Sequence, residues 1–178
     1  REGFGAYVAW RVPDFSTVSV HLRNDEYRSL PADHDNRSWF HRDRTLRENP
    51  EVDEGAAHGA ILRLERLAHR TGRTRAGLYH WIDLEHAGGV FKGDFDYTRL
   101  LSDVRSVLRL TPASTLALRL VAGHTFDGSL PRQKQFTAGG VDGLRAHGFS
   151  EFRGDEMALA QAEFTLGLWQ MRGPMLEG

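Results

Sequence analysis

The 178 residues carry a formal net charge of −1 and a pI near 6.8, so electrostatics gives no reason to expect nucleic acid as a partner. Cysteine is absent, which excludes disulfides, cysteine-type zinc sites and thiol nucleophiles. No apolar run is long enough for a transmembrane helix. A mean hydropathy of −0.48 fits a soluble domain, but it also fits a membrane barrel whose strands alternate apolar and polar residues.

The two ends of the sequence indicate a piece of a longer protein. The chain opens at Arg1 without an initiator methionine or an export segment. It stops at Gly178, shortly after a turn signal, where a further strand is expected. We therefore expect residues 1–178 to form one partial domain.

Apolar and polar residues alternate with a period of two along most of the chain, which is the pattern of a half-buried β-strand. The clearest runs are 97–110 and 115–126. Each is long enough to provide the roughly nine to eleven residues that a tilted strand needs to cross a bilayer. The sequence predicts about seven strands, the others near residues 4–10, 18–23, 60–65, 78–84 and 158–166.

Two segments fit this pattern less well. Residues 56–69 also suit a helix, because alanine, leucine, arginine and glutamate are good helix formers, so both interpretations stay open. His80 interrupts the apolar side of the strand predicted at 78–84.

The connections between predicted strands alternate in length. Short turns are predicted at 12–14, 69–73 and 111–113, and longer or glycine-rich connections at 29–55, 87–93 and 127–155. Transmembrane barrels have short turns on one side and long loops on the other. Aromatic residues near the strand ends suit the girdles of such a barrel; they are Trp10, Trp169, Phe91, Phe95, Tyr97 and Phe126.

The nine histidines form no recognisable metal or catalytic motif. No H-E-x-x-H pattern occurs, and His34 and His41 belong to a charged segment with Asp33 and Asp35, which we interpret as a solvated loop. A G-x-S-x-G nucleophile elbow is also missing from these residues.

The connection at 127–155 is the most informative stretch. It is too long for an ordinary hairpin turn, and its apolar anchors and glycines favour a functional loop over disorder. The motif Phe136-x-x-Gly139-Gly140-x-x-x-Leu144-Arg145, with the run 152–164 that follows, resembles the C-terminal barrel of the bacterial surface antigen superfamily. That superfamily includes the BamA and TamA assembly factors and the transporters of two-partner secretion. The resemblance extends from about residue 87 to residue 168.

The resemblance implies an outer-membrane barrel in which one extracellular loop folds back into the lumen. The tip of that loop carries Val-Arg-Gly and an aromatic residue in the family. The matching residues here are Leu144, Arg145, Ala146 and His147, so the arginine is kept while the glycine and the aromatic are replaced.

A guanidinium inside a barrel needs acidic partners, because a buried unpaired charge is very costly. Asp83, Asp103 and Glu163 have the strand parity to face the lumen, and we expect them to be available to Arg145.

We therefore predict an all-β fold, an antiparallel meander that forms part of a transmembrane β-barrel. The resemblance implies that the protein assists insertion, assembly or translocation of proteins at the bacterial outer membrane, without enzymatic activity, cofactor or metal. Its implied partners are the lipid bilayer, unfolded outer-membrane or secreted client proteins, and periplasmic accessory domains upstream. Two alternatives stay open: the membrane anchor barrel of a patatin-like lipase, and a soluble antiparallel β domain that binds a ligand.

Overall fold

The computed structural model describes residues 2–13, 16–29, 51–66, 76–140 and 143–167. The described residues contain nine strands and two short 3-10 turns: β1 (Glu2–Val12), β2 (Ser16–Tyr27), β3 (Gly55–Arg66), β4 (Gly77–Ala87), β5 (Tyr97–Thr111), β6 (Ser114–Gly128), β7 (Phe136–Ala138), β8 (Phe152–Gly154), β9 (Glu156–Leu166), and the turns Gly89–Phe91 and Arg132–Lys134. None of the described segments is a helix long and apolar enough to span a membrane.

Seven of these strands form one antiparallel meander in the order β1-β2-β3-β4-β5-β6-β9. β7 and β8 pair with each other inside the connection between β6 and β9. The predicted all-β class and antiparallel meander are confirmed. The helical alternative for residues 56–69 is wrong as far as residue 66, because this segment lies in β3, and residues 67–69 lie outside the described part. In the described sheet β1 and β9 are the outer strands, so the sheet is open.

The strand register places a row of apolar side chains from each of the seven strands on one face, which we call the apolar face. Val20 is paired with Leu62, Leu62 with Leu84, and Leu84 with Leu100, so one apolar row crosses four strands. Nothing in the described structure covers this face, and most of its leucines are about half exposed, for example Leu62 at 48% and Leu120 at 54%.

The opposite face, which we call the polar face, carries most of the charged residues and also most of the buried ones. Its main buried cluster consists of Ala87, Tyr97, Leu130 and Phe136, with Phe95 packed against it. Tyr97 and Phe95 therefore belong to this cluster and do not form the aromatic girdle predicted for them. Trp10 does lie on the apolar face and is exposed, and Trp169 lies outside the described residues.

The connections define two ends of the sheet. The turn end holds the connections β1–β2, β3–β4 and β5–β6, and the loop end holds β2–β3, β4–β5 and β6–β9. The predicted alternation of lengths holds in part. The β5–β6 turn has only residues 112–113, whereas the β6–β9 connection spans 129–155. The β3–β4 connection, 67–76, is one residue longer than the β4–β5 connection, 88–96, so lengths do not alternate there. The charged segment with Asp33, His34, Asp35 and His41 lies outside the described residues.

Candidate functional site

Cross-strand ion pairs organise the polar face. Arg63 on β3 and Asp83 on β4 are direct neighbours in the register, and two guanidinium nitrogens donate hydrogen bonds to the two carboxylate oxygens at 2.7 and 2.8 Å. The Trp81 indole donates to the same carboxylate at 3.0 Å, and its ring lies 5.0 Å from the Arg63 guanidinium. Because this geometry is bidentate, the pair has a fixed orientation.

A second charged group joins the next three strands. The Asp103 carboxylate on β5 binds Arg119 of β6 at 2.8 Å and Arg105 at 2.9 Å. Arg119 also donates to the Gln161 side chain on β9 at 3.2 Å. The acids in the middle of the polar face are therefore neutralised by arginines of the same sheet.

Near the loop end, one buried carboxylate binds three other groups; we call these four residues the Glu85 cluster. The Lys134 ammonium lies 2.5 Å from one oxygen of Glu85, and the Tyr97 hydroxyl donates to that oxygen at 2.9 Å. Arg99 donates to the other oxygen at 2.8 Å. The side chains of Glu85 and Lys134 are each only 8% exposed. Because Lys134 belongs to the β6–β9 connection, the cluster fastens that connection to β4 and β5.

The next anchor of the connection is aromatic. Phe136 is buried, and its ring lies over Gly123 of β6 and 5.6 Å from the Arg99 guanidinium. A β-carbon at position 123 would meet the Phe136 ring at 2.5 Å, which is too close for an unshifted contact. Glycine at this position therefore makes room for the Phe136 ring on the polar face of the sheet.

The first turn of the connection also binds the β2–β3 connection. The Gln133 side chain accepts a hydrogen bond from the Asp53 backbone amide at 3.0 Å and donates to the Asp53 carbonyl at 2.9 Å. The Arg132 amide donates to the Asp53 carboxylate at 2.8 Å, and the Arg132 side chain pairs with Glu51. Two long connections are thus joined to each other at the loop end.

The tip of the connection is closed by its own hydrogen bonds. Gly139 and Gly140 have φ angles of 122° and 82°, which glycine adopts readily. The Gly140 amide donates to the His147 carbonyl at 3.2 Å. The Glu151 carboxylate accepts the Gly148 amide at 2.6 Å and lies 3.4 Å from the His147 ring, and these contacts lower the pKa of Glu151. Gly140 and His147, two of the loop-motif residues, are therefore brought together by this turn.

A hydrogen bond joins the tip to the polar face. The Gln161 side chain of β9 donates to the Gly143 carbonyl at 2.7 Å. Since Gln161 also binds Arg119, the connection lies over the polar face from the Glu85 cluster to β9. The apolar face receives no contact of this kind from the described loop residues.

The structure does not bring Arg145 to the acids expected to bind it. Leu144, Arg145, Ala146 and His147 are exposed, and Arg145 forms no ion pair with a described residue. Asp83 and Asp103 bind the strand arginines instead, and Glu163 is exposed on β9. The physical reason is proximity. Strand pairing already holds these arginines beside the acids, so forming the ion pairs costs little further conformational entropy, whereas Arg145 would have to bring an ordered loop to them.

Within the described residues, no group of three or more histidine, aspartate and glutamate side chains is arranged to hold a metal ion. Comparison with protein-family models, with curated proteins and with solved structures gives no match for this chain.

Proposed function

We propose that this chain forms part of the wall of an outer-membrane β-barrel of the BamA/TamA type. The whole protein would assist the insertion, assembly or translocation of other proteins at that membrane. The observation that carries the proposal is the contrast between the two faces of one sheet. One face is apolar and uncovered, and the other is charged, internally paired and covered by a long connection.

The dimensions of the apolar face suit a bilayer. On β5 it extends from Leu100 to Leu108, which is ~27 Å along a strand at about 3.4 Å per residue. A strand tilt of about 40° reduces this to ~20 Å across the membrane, close to the apolar band of ~25 Å in outer-membrane barrels. The face is therefore the right height to contact hydrocarbon.

The apolar face also has a polar boundary at the loop end. Asn24 is paired with His58, and His86 with Thr98, so four neighbouring strands change from apolar to polar side chains at similar height. His86 and Thr98 are hydrogen-bonded at 2.9 Å. A change from apolar to polar side chains at one height is expected where a barrel leaves the hydrocarbon, because unpaired polar groups in hydrocarbon cost free energy.

The covering connection supports the more specific assignment. It carries the motif that resembles the bacterial surface antigen superfamily, and it lies over the face that would line the lumen. Its described anchors are Lys134 and Phe136, so the proposal does not depend on Arg145. In this proposal the connection braces the lumen and influences access to it.

A soluble ligand-binding domain is harder to reconcile with the apolar face. Soluble monomers rarely expose contiguous apolar patches larger than a few hundred Å². The apolar face crosses seven strands, with most of its large side chains about half exposed. The alternative of a lipase anchor predicts the same two-faced sheet, and it differs only in predicting a catalytic domain upstream.

The proposal is tested with the intact protein expressed in a Gram-negative host. We expect it to remain in outer-membrane fractions after alkaline washing, to need detergent for extraction, and to migrate differently on gels before and after boiling. In liposomes it should accelerate the folding of an added unfolded outer-membrane protein relative to empty liposomes. Monodisperse behaviour in plain buffer would refute the membrane assignment, and ester hydrolysis by the intact protein would favour the lipase alternative.

A further inference from the structure

A pair of nitrogen-bearing side chains lies on the apolar face near the turn end. Arg66, the last residue of β3, is paired in the register with His80 of β4. By strand alternation both side chains are on the side of Leu64 and Ile82, which are themselves neighbours. Val104 of β5 is opposite His80 on the other side. A cation and an imidazole are thus placed among apolar side chains.

These two side chains have no acceptor within the described structure. The His80 Nε2 atom is buried and makes no hydrogen bond. Arg66 is partly buried and forms no ion pair with a described residue. On the polar face, by contrast, Arg63, Arg99 and Arg119 each bind a carboxylate. A guanidinium beside an unsatisfied imidazole is an unusual arrangement, because partly buried donors normally find acceptors.

The sequence around this pair is strongly basic. Between Glu65 and Asp83 it contains four arginines, at positions 66, 70, 73 and 75, and no acidic residue. Clusters of arginine and lysine next to a membrane-spanning segment attract anionic lipid surfaces. The acceptor that the described residues do not supply to this pair is therefore best supplied by an anion from the membrane.

We propose that Arg66 and His80 bind the phosphate of a phospholipid in the leaflet at the turn end. This inference rests on the proposed membrane function and adds a ligand to it. The planar guanidinium donates two parallel hydrogen bonds to phosphate oxygens. The imidazole Nε2–H, which is covered in the lipid-free structure, donates a third once the side chains over it move aside. The acyl chains then lie along Leu64, Ile82 and Val104, so one lipid satisfies both the polar pair and its apolar surroundings.

The test measures lipid retention by the intact protein in detergent, using native mass spectrometry after incubation with dioleoyl phosphatidylglycerol. We expect the wild type to retain bound lipid, and Arg66→Gln or His80→Leu to weaken retention about tenfold, as for the loss of a charge-assisted hydrogen bond. Arg109→Gln is the matched control. Arg109 is an exposed strand arginine near the same end, but its register partner Thr115 places it on the polar face.

Three results would overturn the inference. The first is equal retention by Arg66→Gln and the wild type. The second is equal retention of dioleoylglycerol, which lacks the phosphate. The third is displacement of the lipid by inorganic phosphate at equal concentration, which would assign the pair to a free anion. Failure of the membrane function is distinguishable, because the protein would then be soluble without detergent and would not reach the outer membrane.

Discussion

The Glu85 cluster contains one acid and two cations, so removing the acid should cost more than removing either base. In Lys134→Met, Glu85 keeps Arg99 and the Tyr97 hydroxyl as partners. The expected loss is that of one charge-assisted hydrogen bond, about 1.5–3 kcal/mol. In Glu85→Gln, both cations lose their only described carboxylate, and breaking a buried ion pair in this way costs about 3–5 kcal/mol.

Hydrogen exchange measures this difference at the connection itself. β7 (Phe136–Ala138) begins two residues after Lys134 and pairs with β8, so its amides report local opening. We expect Lys134→Met to accelerate their exchange by about 10–100-fold, and Glu85→Gln to accelerate it further. Arg145→Ala is the control, because Arg145 is exposed and has no described ion-pair partner, and it should change β7 exchange by less than about twofold.

The double variant provides the decisive comparison. If the cluster holds the connection, Glu85→Gln with Lys134→Met should cost less than the two single changes added together, by about 0.5–3 kcal/mol. The reasoning would be refuted if the single costs were equal and additive. It would also be refuted if Arg145→Ala opened β7 as much as Lys134→Met does.

Three further outcomes follow from the structure. Gly123→Ala should destabilise the connection by about 1–3 kcal/mol in thermal unfolding, because its β-carbon overlaps the Phe136 ring; adding Phe136→Leu should recover part of the loss. Leu120→Arg on the apolar face should cost about 2–4 kcal/mol and reduce the protein recovered in outer-membrane fractions, whereas Thr165→Arg on the polar side should not; equal recovery would contradict the lipid-facing assignment. The contribution of Glu151 to tip stability should be present above the usual carboxyl pKa and lost as pH falls through its lowered pKa; NMR of the tip amides in acid should show this for the wild type and not for Glu151→Gln.

The positions of the strands could be predicted from the sequence because successive side chains of a strand point to opposite faces, which produces an alternation of apolar and polar residues. The runs 97–110 and 115–126 lie within β5 and β6, and the long connection was visible as a gap between alternating runs. The interruption at His80 was also visible, since it breaks that alternation. The helical interpretation of 56–66 failed because propensity is a weak prior that pairing between neighbouring strands overrides.

The contacts of the covering connection could not be predicted in the same way. Glu85 and Lys134 are 49 positions apart, and one of them lies in a loop, so no local spacing encodes their contact. The available signals were weak: Glu85 has the same strand parity as Asp83, and Lys134 precedes an aromatic residue in a stretch with few other charges. The motif directed attention to Arg145 at the tip, whereas the described anchors are at the base of the connection.

The two outer strands of the sheet run in the same direction. Each of the six pairings from β1 to β9 is antiparallel, so an even number of reversals separates the first strand from the last. A cylinder closed only by antiparallel neighbours must contain an even number of strands. In the barrel proposed here, an odd number of further strands would therefore lie between β9 and β1, whereas an even number would leave one parallel pair of neighbours.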